Sequence, residues 1–361
     1  MIKVLIVDDS PTTAKYLAEI FTSDPEFSVI GIAHDGIEGI RMAREMRPDI
    51  ISMDFNMPDL NGIAATRKIM STCPTPIVIV SSLYDKYAIA MSFKSLEAGA
   101  LAILPTPPSR ISPEFPQRKQ ELLKTFKAMA EVKVIRRIAP APALLPTASA
   151  MASAAMPVVS AREIRLIAIG ASTGGPQVIH DILSHLPTSF WVPIVIVQHI
   201  TPGFEEGLAT WLDQTTGFSV SVAANNESLK DGHVYLAPQG VHLEVTRNKS
   251  ILLVPGPPVH CACPSISRFF RSVARSYGSA SIGVILTGMG TDGAAELKLM
   301  RNAGATTIAQ DRESSIVHGM PGEAIKLDGA CHVLPGNSIA AMICLLIPFG
   351  IKRQKTKETT S

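Results

Sequence analysis

Short runs of branched apolar residues recur along this chain, and most stop abruptly at a polar or acidic residue that opens a helical pattern. Residues 4–7 end at Asp8-Asp9, residues 50–53 at Asp54, and residues 77–80 at Ser81-Ser82. Residues 166–169 run into Gly170-Ala171-Ser172, residues 194–197 into Gln198-His199, and residues 282–286 into Thr287-Gly288. A continuous apolar run of this length reads as a strand buried on both faces. Strands that alternate with helical segments argue for a parallel sheet with helices on both sides. The pattern comes in two blocks. Residues 139–157 between them are almost wholly Ala, Pro, Leu, Ser, Thr and Met without charge, which suits a tether. The fold class expected is therefore α/β, with two doubly wound parallel-sheet domains over 1–120 and 162–350 joined by a linker at 121–161. An amphipathic stretch at 117–134, with Leu122, Leu123, Phe126 and Met129 on one stripe, reads as the last helix of the first block.

Bulk properties narrow the function. A formal charge of +2 over 361 residues, with basic residues concentrated only near 352–357, argues against a nucleic-acid groove. The N-terminus carries acids where a signal peptide would be apolar, and no run reaches the length of a membrane span. The expected compartment is the cytoplasm, with no membrane insertion. The five cysteines are scattered, and Cys261-Ala262-Cys263 has no second pair, so reduced thiols are expected rather than a zinc site.

In a doubly wound sheet the carboxyl ends of the strands share one crevice. That rule gathers Asp8, Asp9, Asp54 and Ser81. Clustered carboxylates raise one another's pKa, and a divalent cation with a preference for oxygen relieves the repulsion. After Asp54 come Asn56-Met57-Pro58 and Asp59-x-x-Gly62. With VDDS at 7–10, MDFNMPDLNG at 53–62, VSS at 80–82 and AGA at 98–100, the first block resembles the flavodoxin-like receiver domain of response regulators. The resemblance implies that Asp54 accepts a phosphoryl group from a histidine-kinase donor. It implies Mg²⁺ held by Asp8, Asp9, Asp54 and the Asn56 carbonyl, and Ser81 as a phosphoryl switch. One position departs. Thr106 stands where receivers usually carry lysine, and it supplies a neutral hydrogen bond without a charge. Lys86, in the loop after the fourth strand, is an alternative source of that charge.

In the second block Ser172 sits in GASTGGP, a small-residue turn between strand and helix. Such a turn serves a nucleophile or cradles a phosphate. The crevice rule brings Ser172, His199 and Asp292 together, and these are the parts of an acyl-transfer triad. His199 would take the Ser172 proton, Asp292 would orient the imidazole, and backbone N–H groups near Thr173 or Met289-Gly290 would stabilise the oxyanion. The order Ser, His, Asp and the flanks of Ser172 differ from those of α/β-hydrolases. A nucleotide-binding output domain is the alternative, but the P-loop lysine is missing.

GASTGGP at 170–176, VQHI at 197–200, VYLAPQGVHL at 234–243, GVILTGMGTDGA at 283–294, AQD at 309–311 and GMP at 319–321 resemble the chemotaxis protein-glutamate methylesterase (CheB) family. A receiver in front of such a domain is that family's architecture. The resemblance implies hydrolysis of glutamyl γ-methyl esters, and deamidation of glutamines, on the cytoplasmic domains of methyl-accepting chemoreceptors, with no cofactor for the ester reaction. It also implies a receiver that covers the cleft until Asp54 is phosphorylated. Thr106 leaves open a receiver that docks without phosphate control. The segment Ser265-Ile266-Ser267-Arg268 lacks the acid expected near a helix start, and His260-Cys261-Ala262-Cys263 before it is unusual. Residues 232–238 and 241–245 are expected to form a hairpin or meander.

Overall fold

The computed structural model describes residues 1–81, 86–132, 134 and 163–347, with the side chains of 86–88 set aside. The expected tether at 139–157, the basic tail at 352–357 and the Lys86 side chain lie outside the described residues.

The first domain runs β1 (Ile2–Val7), α1 (Pro11–Thr22), β2 (Phe27–Ala33), α2 (Gly36–Met46), β3 (Ile50–Met53), α3 (Gly62–Thr72), β4 (Ile77–Ser81), α4 (Lys86–Ala98), β5 (Ala102–Pro105) and α5 (Phe115–Ala130). The helices α1, α2 and α3 start where short polar side chains cap them: Ser10 accepts from the Thr13 N–H, Asp35 from Glu38 and Asn61 from Ala64. The five strands are parallel in the order β2-β1-β3-β4-β5. Alternate residues of β1 feed opposite layers. Val4 and Ile6 pack with α1 and α5, and Leu5 and Val7 with α2, α3 and α4. Leu122, Leu123, Phe126 and Met129 of α5 are buried in the former layer. The helix thus continues through position 120, where the sequence reading had ended the domain.

The second domain runs β6 (Leu166–Ala171), α6 (Gly175–His185), β7 (Ile194–Gln198), α7 (Glu205–Thr216), β8 (Ser219–Val222), β9 (His233–Leu236), β10 (His242–Val245), β11 (Ile251–Val254), α8 (Ile266–Ser276), β12 (Ser281–Ile285), α9 (Ala294–Asn302), β13 (Thr306–Gln310), α10 (Met320–Lys326), β14 (His332–Leu334) and α11 (Gly336–Leu346). Seven parallel strands form one sheet, ordered β14-β13-β12-β6-β7-β9-β8. Ile167 and Ile169 of β6 face the α6, α7 and α11 layer, and Leu166 and Ala168 face α8 and α9. The hairpin expected from β9 and β10 does not form. β9 joins the parallel sheet between β7 and β8, and β10 pairs antiparallel with β11 in a separate ribbon. The ribbon leans on α8, where the Val245 N–H donates to Ser272 Oγ at 3.0 Å.

This strand order has a functional consequence. The chain moves outward from β6 through β7 on one side and returns at β12 on the other, so the topological switch lies at β12-β6-β7. Ligand crevices of doubly wound sheets open at such points.

Candidate active site

β6 ends in a turn that only small residues can make. Gly174 has φ +80°, and a Cβ there would lie 2.7 Å from Ile316 Cδ1. The Gly175 N–H donates to the Ser172 carbonyl at 2.8 Å, closing the turn, and the Ser172 N–H donates to the Thr287 carbonyl at 3.1 Å. Gly288 lets the neighbouring strand end approach, because a Cβ at that position would stand 2.6 Å from Ser172 Cβ. Ser172 is left half-buried at the mouth of the crevice.

His199 extends the pairing of β7 with β6 by one step, its N–H donating to the Ala171 carbonyl at 2.9 Å. Ser172 and His199 are therefore neighbours across adjacent strands. The His199 ring meets Asp292, with Nε2 and Oδ2 2.9 Å apart. Asp292 is only 2% exposed. Its carboxylate also accepts from Ser265 Oγ (2.9 Å), the Ile266 N–H (2.8 Å) and the Ser267 N–H (2.9 Å). It sits on the first turn of α8, where free N–H groups and the helix dipole favour an anion. The acid missing from the sequence of that turn is thus supplied from the loop after β12. Burial alone would raise the Asp292 carboxyl. His199 and the donors of Ser267 outweigh it and hold the group at about 2.

Ser172, Thr173, His199 and Met289 all line one cleft of about 540 Å³, and Gly290 is not among its lining residues. Among the described residues no hydrogen bond joins Ser172 Oγ to the His199 ring. Several supporting groups escaped the sequence reading. Gln198, 3% exposed, donates from Nε2 to the carbonyls of both Ser172 and His199, each at 2.8 Å. Thr287 donates from Oγ1 to the Thr173 carbonyl at 3.0 Å, and buried Gln310 accepts the Thr287 N–H at 2.8 Å. A polar residue closing an apolar run was the available signal for Gln198 and Gln310.

In the first domain the expected carboxylates do meet. Ligand atoms of Asp8, Asp9 and Asp54 lie within 4.8 Å of one another. Asp8 is pushed up to about 6, by burial first and by the charges of Asp54 and Asp9 second. The sequence reading had put mutual repulsion first. Burial also raises Asp54, against hydrogen bonds that lower it. Ser81 Oγ donates to Asp54 Oδ1 at 2.7 Å, and the Asn56 N–H to Oδ2 at 3.2 Å. The Thr106 N–H donates to the Ser81 carbonyl at 3.1 Å, which puts Thr106 beside Ser81. Oxygen donors that converge in a partly dry pocket fit a hard divalent cation, which would supply the positive charge this cluster lacks.

The CheB methylesterase family model matches residues 167–343, and the response regulator receiver domain model matches residues 4–110. A protein-glutamate methylesterase/protein-glutamine glutaminase of Syntrophus aciditrophicus is 46% identical over 346 residues, covering 96% of this chain and 98% of that protein. One of Methanospirillum hungatei is also 46% identical, covering 95% and 97%. The chain belongs to the CheB methylesterase family. The crystal structure of the Thermotoga maritima CheB methylesterase catalytic domain, 37% identical, covers 51% of this chain and 100% of its own, with a TM-score of 0.50.

In this CheB-family chain the receiver lies against the cleft that holds Ser172 and His199. Phe93 of α4 stacks on Trp211 of α7 at 5.5 Å, and His180 of α6 stacks on the same indole at 4.7 Å. Trp211 Nε1 donates to Glu97 Oε1 at 2.8 Å. Gly207 makes room for the approach, because a Cβ there would lie 2.3 Å from Ile89 Cγ2 and 3.1 Å from the Ala90 backbone nitrogen. Nearer Ser172 and His199, Thr201 Oγ1 donates to Glu121 Oε1 of α5 at 3.3 Å. Arg118, Glu121 and Lys124 of α5 form one wall of the cleft that holds Ser172.

Proposed function

We propose that this chain is a phosphorylation-regulated hydrolase that removes γ-methyl esters from glutamyl residues of chemoreceptor cytoplasmic domains and deamidates receptor glutamines. Ser172 is the nucleophile, His199 the general base and acid, and Asp292 the orienting carboxylate. The observation that carries the reading is the meeting of His199 with buried Asp292 beside Ser172, at the ends of three adjacent strands. Because Nε2 of His199 is engaged by Asp292, Nδ1 is the nitrogen left to take the Ser172 proton. Ser172 Oγ bonds to the γ-acyl carbon, and the collapsing intermediate expels methanol, or ammonia from a glutamine, which takes that proton from His199. Water then gives a proton to His199 and attacks the acyl carbon, and the bond to Ser172 Oγ breaks as that oxygen takes the proton back from His199, leaving glutamate and free Ser172. Backbone N–H groups near Thr173 and at Met289-Gly290 are the candidates for the oxyanion.

The receiver supplies control. Asp54 takes the phosphoryl group from a histidine kinase, Asp8, Asp9 and the Asn56 carbonyl join it in holding Mg²⁺, and Ser81 follows the phosphoryl oxygen. Docking of α4 on α7 and of α5 at the cleft restrains access until then. Among the described residues no helix is long and apolar enough to cross a membrane. One observation favours a second form of control. Thr106, whose N–H bonds the Ser81 carbonyl, brings no cation to the phosphoryl site, which favours docking that is independent of phosphate.

Methanol release from methylated receptor, with phosphoramidate as donor, tests both parts. Ser172→Ala should abolish release while Asp54 still takes up phosphate, and Asp54→Asn should abolish only the stimulation. Release by Ser172→Ala at the wild-type rate rejects the enzyme reading. Stimulation that survives in Asp54→Asn rejects the phosphate switch.

A further inference from the structure

We propose that His242 is a positioning residue of this esterase, acting through Ser265 to hold Asp292 against His199. The inference rests on the reading of Ser172, His199 and Asp292 as the reacting set and adds a second, fully buried histidine behind it.

His242 opens β10 and is 0% exposed. Both of its ring nitrogens are engaged. Nδ1 accepts the Ser265 N–H at 3.1 Å, and Nε2 meets the Pro257 carbonyl at 3.0 Å. A backbone N–H only donates and a carbonyl only accepts, so the two partners fix one neutral tautomer with its proton on Nε2. The Ser265 N–H lies one residue before α8 and has no carbonyl of that helix to bond. The residue that could accept it in a capping box, three positions on, is Arg268, which can only donate. His242 fills that role from another element.

Ser265 carries the restraint to Asp292. Its Oγ donates to Asp292 Oδ1 at 2.9 Å, and the next two N–H groups, of Ile266 and Ser267, close on the same carboxylate. The strand that bears His242 is clamped along α8. Glu244 accepts from Arg268 at 2.7 Å, the Val245 N–H donates to Ser272 Oγ, and Ser276 Oγ donates to the Val245 carbonyl. On its other side the ring holds Pro257, at the base of a segment whose residues 258 and 260–264 line the cleft. Gly256 lets that segment close on the ring, since a Cβ there would lie 3.4 Å from His242 Cδ2 and 2.8 Å from Arg268 Nη1. β10 and β11 stand outside the central sheet. The ribbon thus has a task of its own: it fixes the start of α8, which is the seat of Asp292.

Two partial mimics of the imidazole separate this role from a merely structural one. Asparagine sets an acceptor near the place of Nδ1, and glutamine sets a donor near the place of Nε2. The full-length protein is assayed for methanol release from methylated receptor. His242→Gln should lower kcat by about tenfold or more with KM little changed, and His242→Asn should restore it to within about threefold of wild type. With its hold on Ser265 weakened, Asp292 attracts the imidazolium more strongly. The acid limb of kcat/KM in His242→Gln should therefore move up by roughly half a pH unit. Ser265→Ala keeps the N–H for His242, removes the hydroxyl bond to Asp292 and should move the limb the same way. Arg268 and Glu244 near the ring, and Arg118, Glu121 and Lys124 across the cleft, are common to all these variants. Nitrogen-15 spectra of the wild-type protein should show the His242 proton on Nε2, a readout that needs no variant to fold. The inference is overturned if His242→Gln is no worse than His242→Asn, if the acid limb stays in place, or if the proton lies on Nδ1. A wild-type protein that releases no methanol refutes the esterase reading, and this inference with it.

Discussion

His199 Nε2 lies 2.9 Å from Asp292 Oδ2, and that same oxygen accepts the Ile266 N–H at 2.8 Å. One carboxylate thus orients an imidazole and caps a helix. Asp292→Asn sets an amide N–H₂ against donors that now face an oxygen. Turnover should fall by roughly 10² to 10⁴, as expected when the imidazole loses its orienting anion. Stability should fall as well. The folded carboxyl titrates at about 2 against an ordinary 3.8, which corresponds to about 2 kcal/mol. A depressed carboxyl stabilises above its unfolded pKa, and that contribution drains away as pH falls from about 4 through 2. Urea unfolding should therefore show a gap between wild type and variant at pH 6 that narrows below pH 4. A gap of constant size down to pH 2 would contradict this account.

Gln198 ties the carbonyls of Ser172 and His199 to one amide group. Gln198→Met keeps the length and removes the donors. On the proposed mechanism, freeing Ser172 and His199 to shift by a fraction of an ångström should lower turnover by about 10²-fold with little change in KM. Labelling of Ser172 by a fluorophosphonate should slow in proportion. If labelling stays fast and only the thermal midpoint drops, Gln198 serves the fold and not the site.

Gly207 offers a clean test of docking. Leucine is a better helix former than glycine, so Gly207→Leu should stabilise α7 by itself, by about 1 kcal/mol. Its side chain cannot coexist with Ile89 and Ala90 of the receiver at their present distance. Receptor demethylation without a phosphodonor should rise towards the stimulated level. An unchanged basal rate, with the variant folded, argues that the α4–α7 contact restrains nothing.

Thr106 stands beside Ser81, which bonds Asp54. Thr106→Lys brings an ammonium towards the phosphorylation site, where it can pair with the acceptor or its phosphate. Stimulation of methanol release by phosphoramidate should increase over wild type, and Asp54→Asn in the same background should remove it. Identical stimulation with threonine and lysine would show that position 106 takes no part in the switch.

Much of this architecture could be read before any coordinates because unbroken apolar runs such as 166–169 and 194–197 leave strands few alternatives. The ends of those runs also placed Ser172, His199 and Asp54 at the crevices. What stayed hidden depended on partners distant in sequence. β9 and β10 look like a hairpin around Pro238-Gln239-Gly240, but β9 finds parallel neighbours on both sides and β10 finds β11. β14 is three residues long and has no period to detect. Asp292 could be placed near His199 by the strand rule, but its role at the start of α8 needed the fold, since Ser265 to Arg268 carry no hint of an outside anion. Likewise Phe93 and Trp211 are unremarkable core aromatics until two domains are seen face to face.

The backbone bond from His199 to Ala171 makes the spacing of Ser172 and His199 a property of strand pairing, about 4.8 Å per step. Loops at the rim can lengthen, loosen or be replaced without altering that ruler. Heat should accordingly extinguish ester cleavage together with the melting of the central sheet, and the slowest-exchanging amides of the domain should include those on either side of the reacting pair.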